Sequence, residues 1–412
     1  MRFLASLLAL LLVPLLAAAL LVAAALQAAP LVSREATISP ASVAEARGLL
    51  ARNDPRQLRR GDERTALIPA TLIDEALNHL ASRNLRGRGA FVLVHDAAEV
   101  SFSVAAPGVP GPRYLNLRML LKTVDGLPRV ASASIGALPI PSALAEWLIA
   151  SAIDHSGLDG DWRLTRQAFR RLLFASPSGM VVVSYVWDPG LLDRARAMVF
   201  SPPQMVRIEA AQRSLVSLLE SYPPRSHVPL ATILAPLLAR SAEHAPAQDR
   251  AALLVLAAYL SERSLSTLLP QASGWPRPRQ VNLTLMGRSD SAQHFAISAA
   301  LAAWAGEPAA NAIGVYKEID DSRGGSGFSF GDLAADRAGT RFGELVAADS
   351  PRLQHALRSG LGDADVAPSL AGLPEYLSEA EFKRRYGGTG SAAYRRLMTE
   401  IEGRLDALPL YR

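Results

Sequence analysis

Hydrophobic and polar positions change period along the chain, and the changes mark out its parts. Arg2 is followed by FLASLLALLLVPLLAAALLVAAALQ, a run of about 25 residues without a charge, where a membrane-spanning helix needs ~20. This pattern predicts an N-terminal anchor or signal over residues 1–30, with Pro14 absorbed as a kink. A cleavage site near Ala28, in LQAAP, is the alternative to a retained span. With Arg2 on the inner side, the expectation is one pass through an inner membrane, the bulk of the chain lying in the periplasm.

From Ala36 to Arg88 the period is helical. SPASVAEARGLLARN opens with the cap Ser39 and a proline in the first turn. Alternation then replaces it over residues 89–138. Leu115, Leu117, Met119 and Leu121 alternate with polar neighbours, one slip falls at Leu120, and Asp125-Gly126 marks a hairpin turn. SALAEWLIASAID is a helix capped at Ser142; RLTRQAFRRLLFAS reads as another helix, and GMVVVSYVWD as a buried strand. Helical spacing dominates from Leu191 onward, interrupted by the loop composition SGWPRPRQ. The fold expected is α+β and predominantly helical. An N-terminal transmembrane helix precedes an α+β domain with a small antiparallel β module over residues 36–200, and an α-helical domain over 201–412 carries the polar residues.

Composition narrows the chemistry. Without cysteine there are no disulfides, thiolate metal sites, cysteine nucleophiles or lipid-modified N-terminal cysteine. The net charge of +5 is spread over scattered arginines without an aromatic-interleaved basic stripe, so nucleic acid is not an expected partner. Gly-x-Ser-x-Gly, His-Glu-x-x-His and phosphate-loop motifs are missing from the sequence.

Candidate chemistry gathers between residues 287 and 343. Asp290, His294 and Ser298 fall at i, i+4 and i+8 of one helix. Gly314, Lys317, Glu318 and Asp321 share a face of a second. Ser329 and Asp332 resemble a capping box with a shortened acid, and Asp332, Asp336, Gly339 and Gly343 line one stripe of a third. Capping and the helix dipole account for Asp332, and a lone histidine on a helix is commonly a satisfied polar residue; neither accounts for Asp336 one turn further on. Carboxylates held close together push one pKa upward and separate an acid from a base. His294, Glu318, Asp332 and Asp336 are therefore the candidate catalytic residues, with Lys317, Asp321 and Ser329 as substrate-binding candidates. Asp290, His294 and Asp336 would be the ligands of a divalent metal, the cofactor that such an oxygen-rich donor set with one imidazole would take.

Two stretches resemble known families. GRSDSAQHFAIS, GVYKEIDD and GFSFGDLAADRAGTRFG are similar to the YfiM-like family of predicted periplasmic lipoproteins, with Ser291 at a position where lysine is expected and with no lipoprotein cysteine. The resemblance marks Asp290, His294, Phe295, Gly314, Lys317, Glu318, Asp321, Ser329, Asp332, Asp336 and Gly339, and implies no particular reaction. The hairpin followed by IGALPIPSALAEWLI resembles the YpmS-like group over residues 89–150, which implies an anchored β-rich module touching lipid or an envelope polymer. The expected function is a membrane-anchored scaffold or binding protein of the cell envelope. Its alternative is an envelope hydrolase using the His/carboxylate cluster, with or without a metal.

Overall fold

The chain divides into two units, Met1–Ala195 and Arg196–Arg412. The computed structural model describes residues 24–53, 58–106, 108, 113–155, 169–189, 202–239, 246–261, 265–306, 313 and 326–412. Helices and antiparallel sheets are mixed, and helix at 52% against strand at 23% makes the helical part the larger.

In the first unit β1 (Leu26–Gln27), α1 (Pro40–Arg52), β2 (Glu63–Pro69) and α2 (Ala70–Leu85) precede the meander β3 (Gly87–Val94), β4 (Ala97–Ala105), β5 (Tyr114–Val124), β6 (Leu127–Ile135) and β7 (Leu138–Ile140). The meander is antiparallel in the order β3-β4-β5-β6-β7, with β1 added to β5. Asp125 and Gly126 take φ of 52° and 78°, as a two-residue hairpin turn requires for strands with right-handed twist. The register shifts between Leu120 and Leu121, at the slip visible in the alternation. After α3 (Ser142–His155), β8 (Phe169–Ala175) and β9 (Met180–Val186) form a second sheet in the order β2-β9-β8. Phe91, Val100, Phe174, Val181 and Val183 are core residues of this unit.

Three expectations need correction. Among the described residues no helix is long and apolar enough to cross a membrane. The transmembrane span, the membrane partner and the single-pass inner-membrane location are overturned with it. Residues 1–23 lie outside the described residues. The end of the apolar run belongs to a sheet, since Leu26 and Gln27 pair with Leu115 and Tyr114. Asn116 Nδ2 donates to Gln27 Oε1 at 2.6 Å and to the Ala29 carbonyl at 2.9 Å. Ser103 Oγ accepts from the backbone N–H groups of Leu31 and Val32 at 2.8 and 2.9 Å. Secondly, FRRLLFA, the described part of the expected helix RLTRQAFRRLLFAS, is strand β8, because pairing with the Val-rich β9 overrides a helical spacing of apolar residues. Thirdly, ERTALIP within the expected helical region is β2, on the other edge of β9.

The second unit is helical: α4 (Pro202–Leu219), α5 (Leu230–Ala239), α6 (Pro246–Leu260), the single turn α7 (Leu265–Leu268), α8 (Ser289–Ala305), α9 (Phe330–Ala347), α10 (Pro351–Ser359), α11 (Asp363–Val366), α12 (Glu379–Tyr386) and α13 (Ala392–Asp406). The tripeptide strands β10 (His227–Pro229) and β11 (Asn282–Thr284) pair in parallel. Ile208, Leu215, Leu253, Phe295 and Phe342 contribute to one continuous core. Phe328 stacks on Phe382 at 3.9 Å between ring centroids, and Tyr394 closes edge-on at 6.4 Å. The outer side of α9 is tied to α13 by ion pairs of Arg337 and Arg341 with Glu402.

One buried acid in this unit sets a pH dependence. Asp249, in the first turn of α6, is 2% exposed. Burial, helped by the Asp349 carboxylate, raises its pKa from 3.8 to about 7. The folded state therefore holds this proton more tightly than the unfolded chain, so stability falls as pH rises from about 4 to about 7. Asp249→Asn is expected to flatten that slope and to be more stable than wild type at pH 8 by on the order of 3 kcal/mol, measured by urea denaturation. A parallel pH dependence in the variant would refute the assignment.

Candidate functional site

The pairing of α8 with α9 builds the site. Small residues face each other along the seam, and a Cβ on Gly339 or Gly343 would stand closer than 3.0 Å to the carbonyl oxygen of Phe295 or Ala299. Hydrogen at these two positions lets the backbones approach until the short side chains of one helix reach the other. Phe295 and Phe342, with ring centroids 5.4 Å apart, pack beside the seam.

Along this seam α8 presents Ser291, His294 and Ser298, and α9 presents Asp332, Asp336 and Thr340, all of them buried. His294 lies between the two carboxylates. Its Nδ1 is 3.1 Å from Asp336 Oδ1, and its Nε2 is 3.6 Å from Asp332 Oδ2. Ser298 Oγ donates to the same Asp336 oxygen at 2.7 Å. A carboxylate only accepts, so Asp336 fixes the histidine tautomer with the proton on Nδ1 and leaves Nε2 as the base that faces Asp332. Ser329 is the N-cap of α9, its hydroxyl accepting from the Asp332 N–H at 3.0 Å.

Toward solvent the seam meets Arg288, the residue before α8. Its guanidinium pairs with Asp290 at 2.7 Å and with Glu375, and stands 3.7 Å from Asp332 Oδ1. Tyr376, beside Glu375, is exposed, and its hydroxyl lies 3.5 Å from Arg288. Gly331 leaves room for Glu375, whose Oε1 a Cβ would meet at less than 3.0 Å. The polar groups thus run inward from exposed Tyr376, through half-buried Arg288, to Asp332, His294 and Asp336, which are 7%, 5% and 6% exposed.

The environments of the three acids differ. Hydrogen bonding from Arg288 holds the Asp290 carboxyl below the ordinary carboxylate range. Asp332 is raised by burial, an effect that His294 partly opposes. Asp332 Oδ1 and Asp336 Oδ2 are buried with no hydrogen-bond partner among the described residues, as are Ser291 Oγ and Thr340 Oγ1. Four such oxygens along one seam are an unusual concentration of unmet polar groups.

Of the residues expected from sequence, His294, Asp332 and Asp336 meet in space, Asp290 reaches the cluster through Arg288, and Ser329 caps the helix beneath it. Lys317, Glu318 and Asp321 lie outside the described residues. Among the described residues no group of three or more His, Asp or Glu side chains is placed to hold a metal ion. Asp290, His294 and Asp336 do not converge on one point, because Asp290 turns to Arg288 while Asp336 binds the imidazole. Arg288, Glu375 and Thr340 were not among the expected residues. Thr340 continues the i, i+4 spacing of Asp332 and Asp336 and was legible from it. Arg288 is one of forty arginines without periodic context, and Glu375 comes from a loop. No family model, curated protein or solved structure matches the chain.

Proposed function

We propose that the His294 cluster is an acid–base site and that the protein is a hydrolase. The observation that supports this reading most is the placement of one imidazole between two carboxylates of unlike environment. Asp336 orients the ring through Nδ1, and Asp332, with its raised pKa, faces Nε2. A base oriented by one acid and facing a second whose burial favours its protonated form is the arrangement that general acid–base catalysis uses. In the proposed step Nε2 takes a proton from water as the water attacks the substrate, and Asp332 returns a proton to the leaving group. Arg288 stands at the outer end of the cluster, 3.7 Å from Asp332 Oδ1. The stretch that carries these residues is also the one resembling the YfiM-like family, and that resemblance agrees with a shared site there.

A second reading is supported by the burial of His294. A binding or scaffold protein would use the same contacts to fix the α8–α9 pair without any reaction. Asp332→Asn separates the two. Asparagine copies the shape of the protonated acid, so stability should stay within about 1 kcal/mol of wild type in either case. Turnover on a panel of nitrophenyl esters, phosphates and glycosides should fall by about 100-fold or more if Asp332 transfers a proton. Activity of the wild type that survives in both Asp332→Asn and His294→Gln would defeat the hydrolase reading.

A further inference from the structure

We propose that a cleft in the second unit, which meets the outer end of the His294 seam only at Asp290, binds an acidic saccharide, a sugar chain carrying carboxylate groups. The cleft has a volume of about 800 Å³ and is lined by residues of α4, α6, the loop before β11, and the first turn of α8. That volume is ordinary for a ligand site. The proposal does not depend on the acid–base reading, since α8 turns Gln293 to the cleft and His294 to the seam.

Three features of the lining point to this chemistry. The first is a set of immobilised amides. Gln212 Nε2 donates to the Pro276 carbonyl at 2.8 Å, Gln293 Nε2 to the Leu260 carbonyl at 2.9 Å, and Asn282 Nδ2 to the Arg225 carbonyl at 3.1 Å. One bond from each NH2 fixes the plane of the whole amide, so its second N–H and its oxygen are held ready for a ligand without further loss of side-chain freedom. Paired donor and acceptor groups on a rigid plane match the vicinal hydroxyls of a sugar ring. The second feature is Trp275, a half-buried indole that offers an apolar face to the C–H side of a pyranose. The third is charge. Arg225 and Arg277 are both exposed in the cleft, and among the described residues neither has an ion-pair partner. The guanidinium fork recognises a carboxylate through two parallel hydrogen bonds. The one acid of the lining, Asp290, is already matched by Arg288.

The frame around the cleft is rigid. Tyr259 Oη accepts from the Val281 N–H at 2.7 Å and donates to the Val281 or Arg279 carbonyl, at 2.8 and 3.1 Å, tying α6 to the segment entering β11. Arg225 itself is held in a left-handed backbone conformation, φ 61°, with its N–H on the Gln280 carbonyl at 2.8 Å. A site preorganised in this way suits a ligand that offers many weak hydroxyl contacts.

Calorimetric titration of the full chain tests the proposal with three probes: a hyaluronan tetrasaccharide, maltotetraose as the neutral sugar, and inorganic phosphate as the bare anion. The expected result is binding of the acidic tetrasaccharide at least tenfold tighter than maltotetraose or phosphate. Arg277→Gln should erase the preference for the acidic sugar, and Trp275→Ala should weaken both sugars tenfold. Arg277 is exposed, so Arg277→Gln remains a fair test even if the tryptophan variant fails to fold. The proposal is overturned by no binding of the tetrasaccharide, by phosphate binding as tightly as the sugar, or by Arg277→Gln binding like wild type.

Discussion

Alanine at Gly339 is expected to destabilise the protein by about 3 kcal/mol, and the same change at Gly343 by a similar amount. Helix propensity alone predicts the opposite sign, since alanine is a better helix former than glycine by ~1 kcal/mol. The close approach decides the outcome. The atoms a new methyl would meet are the backbone of Phe295 and Ala299, not the ends of flexible side chains. Relief therefore requires α8 and α9 to separate as whole helices, at the expense of a tightly packed seam containing Phe295, Phe342 and four alanines that are 0% exposed, Ala292, Ala299, Ala335 and Ala338. Gly403, an exposed glycine inside α13 with open space around it, is the matched control, and alanine there should stabilise by ~0.5–1 kcal/mol. Urea denaturation of the three variants gives the comparison. Equal behaviour at Gly339 and Gly403 would show that the helices do not meet as described.

Asp336→Ala should be the most costly change in the polar cluster, at about 3–5 kcal/mol. Asp336 Oδ1 is the shared acceptor of His294 and Ser298, and both donors are enclosed by the seam. Removing it leaves two buried donors unmet and frees the imidazole tautomer. A double-mutant cycle with His294→Ala isolates the pair, and the double variant should lose clearly less than the sum of the single losses. Additive losses would mean that His294 and Asp336 do not interact. The cycle bears on stability alone and stands whether or not the cluster performs a reaction.

How much of this was legible beforehand depends on the range over which each signal acts. The hairpin at Asp125-Gly126, the bulge at Leu120 and the caps Ser39 and Ser329 are local, and residue type with short spacing was enough to find them. The strands β2 and β8 were not legible, because both are edges on β9 and take their state from that neighbour. A similar limit applies to the apolar N-terminal run. Its hydropathy matches a span, while Leu26 and Gln27 are committed to β5 through Asn116, a residue some ninety positions away. In the site, helical spacing was enough to find His294, Asp332 and Asp336. Arg288 and Glu375 converge on them only through the tertiary fold, and no period in the sequence connects those two residues.

The parallel pair β10–β11 bears on how the second unit assembles. His227–Pro229 and Asn282–Thr284 are far apart in sequence, and α5, α6 and α7 lie between them. Closing so long a loop costs entropy before three residue pairs can offset it. The closure cost is lowest when the helices have already gained their core contacts, so the strand pair is expected to close last, as a latch on a loop that is already packed. Late closure implies that weakening the latch at Val228 speeds unfolding and leaves the folding rate nearly unchanged.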